Sequence, residues 1–75
     1  MTQEELFKLY RNAKISDVDW LRSRHMDELA LDVATTLSGH EYKELLDYVQ
    51  ALRDLPSHTS DYSNPTWPAK PSFIS

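Results

Sequence analysis

All four prolines of this 75-residue chain, Pro56, Pro65, Pro68 and Pro71, fall within its last twenty positions. The first 55 residues carry none, and a single glycine, Gly39. Proline fixes φ, removes a backbone donor and pushes its preceding residue toward extended conformations. The chain therefore divides into a stretch free to be helical, residues 1–56, and an extended or irregular arm, residues 57–75, ordered only by docking onto something.

Within residues 1–56 the apolar spacing is helical. Thr2 and Glu5 form a capping box, and Leu6, Leu9, Tyr10 and Ala13 follow, which predicts a short helix over 3–13. Ser16, Asp17 and Asp19 read as a second start, with acidic residues where a helix macrodipole favours them. Val18, Leu21, His25 and Leu29 then recur at three- and four-residue steps, predicting a helix over 17–32. Thr35, Thr36, Ser38 and Gly39 form a break. Ser38 and Glu41 repeat the capping box, and the stripe Tyr42, Leu45, Leu46, Val49, Leu52 predicts a helix over 39–54, stopped by Pro56. The expected fold is all-α: a small antiparallel hairpin, with Leu21 and Leu29 facing Leu45, Val49 and Leu52, preceded by a short N-terminal helix and followed by the proline-containing arm.

A chain this short buries little apolar surface against about 1.5 kcal/mol of entropy per ordered residue. With no cysteine there is no disulfide to compensate, so a partner or self-association is the expected source of added stability. The net charge of −4 and pI near 5.1 argue against a nucleic-acid surface, which needs clustered Lys and Arg. Lys8, Arg11 and Lys14 against Glu4 and Glu5 leave residues 1–16 at +1. Asp17, Asp19, Asp27, Glu28 and Asp32 against Arg22 and Arg24 leave residues 17–37 at −3. Apolar runs are too short to span a membrane, and the N-terminus lacks the basic and apolar regions of a signal peptide, so a cytoplasmic location is expected.

His25, His40 and His58 lie on separate elements without paired ligand spacing, and no cysteine supports them, so no metal or cofactor is expected. The pairs Asp17 with Asp19 and Asp27 with Glu28 read as solvated surface and helix-start charges, not a catalytic dyad. The chain is not expected to be an enzyme.

Three blocks carry a resemblance. Arg11-Asn12-Ala13-Lys14-Ile15-Ser16-Asp17-Val18-Asp19-Trp20, then Tyr48-Val49-Gln50-Ala51-Leu52-Arg53-Asp54-Leu55-Pro56, then Asn64-Pro65-Thr66-Trp67-Pro68-Ala69-Lys70-Pro71 stand in the order found in the small phage tail assembly chaperones, also called tail fibre assembly proteins. The resemblance implies a protein that binds and shields a phage tail or tail-fibre protein in the host cytoplasm during folding and assembly. The alternative is a small structural component retained in the virion at a tail or fibre joint.

The candidate partner-binding residues are Trp67, Pro68, Pro71, Tyr48, Arg53 and Trp20. Trp20 reads as a contact hot spot or as a core aromatic closing the hairpin; the second is favoured because a small chain can hardly spare its largest hydrophobe. Trp67, with no helix beneath it, either folds back on the hairpin or inserts into a partner. Arg53 either specifies a partner through charge or solvates the last helical turn. Tyr48 suits a border between core and partner.

Overall fold

The computed structural model describes residues 1–74; Ser75, the last residue of the expected arm, lies outside them. Two helices, α1 (Gln3–Ala30) and α2 (Gly39–His58), form an antiparallel hairpin, and no strand occurs among the described residues. The all-α hairpin expected from the sequence is the fold observed.

The separate short N-terminal helix is not present. Residues 3–30 form one helix of 28 residues, running through the supposed second start at Ser16 and Asp17. No proline or glycine interrupts this stretch, and its buried residues Phe7, Val18 and His25 keep one phase, since steps of eleven and seven residues return to nearly the same helical face. Asp19 is spent on Arg22, at 2.6 Å, so the acidic signal at 17–19 decorates a helix surface instead of opening a helix.

At the N-terminus Thr2 accepts from the Glu5 N–H at 3.1 Å. The other end, expected at residue 32, is a Schellman motif. Asp32 N–H donates to Leu29 O at 3.2 Å and Val33 N–H to Glu28 O at 3.1 Å, with Asp32 in the left-handed region at φ 55°. Backbone of this form normally takes glycine. The connection is then tied back to α1. The Glu28 carboxylate accepts from the Thr36 N–H at 3.0 Å and the Thr36 hydroxyl at 2.9 Å, with Arg24 3.5 Å away.

The capping box at Ser38 and Glu41 is present on both sides. Pro56 does not stop α2, which continues to His58. Proline removes the bond that its own N–H would make and crowds the carbonyl four residues back, while hydroxyls take up neighbouring carbonyls in this last turn: Ser57 Oγ donates to Asp54 O at 2.8 Å and Thr59 Oγ1 to Leu55 O at 2.7 Å.

The core consists of Val18, Leu37, Leu45, Tyr48, Val49 and Leu52, with Ile15, Leu21, Tyr42, Trp67, Phe73 and Ile74 packed against it. Leu29, expected opposite α2, is 55% exposed instead, because it lies in the last turn of α1, beside the chain reversal. Leu46 is also exposed. Residues 59–74 contain turns but neither helix nor strand.

Candidate partner-binding site

The six candidate residues fall into four places. Trp67 folds back: its ring stacks on Phe7 with centroids 5.4 Å apart, and Lys14 Nζ lies 5.0 Å above it. Tyr62 also packs on Phe7, tilted, with ring centroids 5.1 Å apart. An aromatic cluster with a cation over one face stabilises by roughly 1 kcal/mol beyond its area burial. Of the two expectations for Trp67, the structure has the intramolecular one. Phe7 and Lys14 were absent from the sequence-derived candidates. The signal for Phe7 was available, as it lies in phase with Val18 once the helix is read as continuous.

Tyr48, Pro68 and Pro71 are brought together. With Ala51, Ala69 and Lys70 they line an open groove of about 400 Å³ between α2 and the C-terminal segment, rimmed by Glu44 and Asp47. Tyr48 is only 7% exposed, so it is a core residue that also lines the groove. Both rim carboxylates have partners one turn back. His40 lies 2.8 Å from Glu44, and Lys43 lies 2.8 Å from Asp47, a contact that raises the pKa of Lys43. Lys70 reaches across to Asp17 of α1 at 3.3 Å, an exposed pair worth little in itself.

Arg53 is exposed and donates to Gln50 at 3.4 Å, apart from the groove. Trp20 is 58% exposed, against the expectation that it closes the hairpin core. On an uninterrupted α1 it stands eleven residues from Leu9, on the face turned away from Val18. One flank of Trp20 lines a second depression of about 230 Å³ with Leu21, Leu37, Phe73 and Ile74.

Titratable chemistry is sparse. Glu28 is held below the usual carboxylate range, chiefly by the Thr36 N–H, against the opposing effect of desolvation, with further lowering by the Thr36 hydroxyl and Arg24. Asp61 is lowered by the hydroxyl and N–H of Ser63. His25 is buried at 5% exposure and stacks on Tyr42 at 3.8 Å; its Nδ1 has no hydrogen-bond partner among the described residues. Among those residues, no group of three or more His, Asp or Glu is arranged to hold a metal, and no helix is long and apolar enough to cross a membrane.

The accessible features of the helical hairpin include shallow grooves and an exposed tryptophan, features of the kind that recur at protein-binding surfaces. The family model for phage tail assembly chaperone proteins matches residues 4–72, and the chain belongs to that family. No curated protein and no solved structure matches it. The family description points to a non-enzymatic role with a phage tail protein as partner.

Proposed function

We propose that this chain is a chaperone that covers an apolar segment of a phage tail or tail-fibre protein in the host cytoplasm until assembly buries that segment. Apolar surface of this kind aggregates when left bare. The observation that carries the reading is the convergence of Tyr48 with Pro68 and Pro71, distant from it in sequence, around one open groove that Ala51 also lines. The C-terminal segment then acts as a wall of the site, and Trp67 is the anchor that holds the wall in place.

Coexpression of the tail-fibre protein with and without the chain tests the reading. More soluble, assembled fibre is expected with the chain. Ala51→Arg, at an exposed position that fills the groove without entering the core, should remove most of that gain. Equal fibre yields in the presence and absence of the wild-type chain would sink the chaperone reading. Stoichiometric copies in purified virions would replace it with a structural role at a tail or fibre joint.

A further inference from the structure

The continuous α1 creates a surface that two shorter helices would not have. Leu9, Ala13, Ser16 and Trp20 stand at i, i+4, i+7 and i+11, one stripe of a single helix. All four are exposed, Leu9 at 54% and Trp20 at 58%. They lie on the opposite side of the helix from Phe7, Val18 and His25. The stripe is symmetric in size about a point between Lys14 and Ile15: a large apolar residue at each end, about 16 Å apart at the helical rise, and two small ones between.

We infer that this face binds a second copy of the chain, α1 against α1, antiparallel about a two-fold axis midway between Ala13 and Ser16. Such a contact is self-complementary, as a two-fold interface must be. Leu9 of each copy meets Trp20 of the other, and Ala13 meets Ser16, where small side chains let the helix axes approach toward the short end of the 8–10 Å range, as an order of magnitude.

Charge selects the second copy and its direction. Antiparallel pairing in this register sets residues 1–12 of one copy alongside residues 17–28 of the other and brings exposed opposite charges level, whereas parallel in-register pairing would set Glu5 against Glu5 and Arg24 against Arg24. Around the stripe, Glu5 of one copy comes level with Arg24 of the other, both exposed, and Arg24 is otherwise held only loosely, 3.5 Å from Glu28. The contact uses none of the residues of the groove between α2 and the C-terminal segment, and does not rest on the client reading.

Sedimentation equilibrium on the full chain tests it. Wild type should approach twice the 8.7 kDa of one chain. Leu9→Glu and Trp20→Arg should each weaken the dimer by at least tenfold while leaving helical circular dichroism unchanged, since neither side chain is in the core. Mixing the two variants should restore a dimer, because one contact regains Leu9 against Trp20 and the other sets the new glutamate against the new arginine. Parallel pairing offers no such rescue. Ala13→Trp, a bulky residue at the centre of the contact, should dissociate the dimer alone and serves should either charged variant lose helix. A monomeric wild-type chain would hand this face to another occupant, such as the tail protein, and overturn the inference. Variants that remain dimeric, or a mixture that stays monomeric, would overturn it equally.

Discussion

His25 combines a favourable ring stack with an unfavourable nitrogen. Its ring lies 14° from parallel to that of Tyr42, while buried Nδ1 lacks a partner, and an unmade buried hydrogen bond costs roughly 1–3 kcal/mol. His25→Phe keeps the stack and removes the unmet polar atom. It should raise stability by about 1 kcal/mol in denaturant titration, and a loss would mean that the histidine nitrogens serve the fold. Glu28 offers a pH test. Its folded-state pKa is depressed, so its contribution is complete above the unfolded chain's value and disappears as the pH falls through the folded one. Wild type should therefore lose thermal midpoint on acidification with a slope that Glu28→Gln flattens; parallel curves would deny the loop bond any energetic role.

The ends of the helices decide where the hairpin turns. Asp32 holds a left-handed conformation that disfavours L side chains by roughly 1–2 kcal/mol, and its carboxylate stands at the negative end of the α1 macrodipole. Asp32→Gly relieves both and should stabilise the chain by about 1 kcal/mol; thermal unfolding with the midpoint unmoved or lowered would mean that the carboxylate contributes something else. These elements were legible in the sequence to different degrees. The N-cap at Thr2, the capping box at Ser38 and the stripe of α2 were readable because caps and apolar periodicity are local. The continuity of α1 was misread at Ser16 and Asp17, where a local start signal competed with a burial phase visible only over eleven residues or more. The extra turn past Pro56 depended on hydroxyls of Ser57 and Thr59 reaching back.

At the level of the molecule, an elongated body with extents of 45 × 21 × 20 Å draws part of its small core from its C-terminal segment, through Trp67, Phe73 and Ile74. Trp67→Ala should therefore cost about 2 kcal/mol, somewhat below the range for fully buried aromatics because Trp67 is half-buried; an unchanged midpoint would mean that the segment rests on the hairpin without supporting it. The candidate site was partly legible for the same reason. Tyr48, Pro68 and Pro71 could be singled out as residue types, but their meeting around Ala51 depends on where the segment docks, which no local pattern encodes. Trp20 lies in solvent against the expectation that it closes the core, because helix phase turns it outward, while Trp67 takes the folded-back one of its two expected positions, drawn in by an aromatic partner. The two indoles consequently make a matched pair of intrinsic fluorophores. With Trp20→Phe, the remaining emission should be blue-shifted and report detachment of the C-terminal segment; with Trp67→Phe, it should be red-shifted, readily quenched by iodide, and sensitive to whatever covers the outer face of α1.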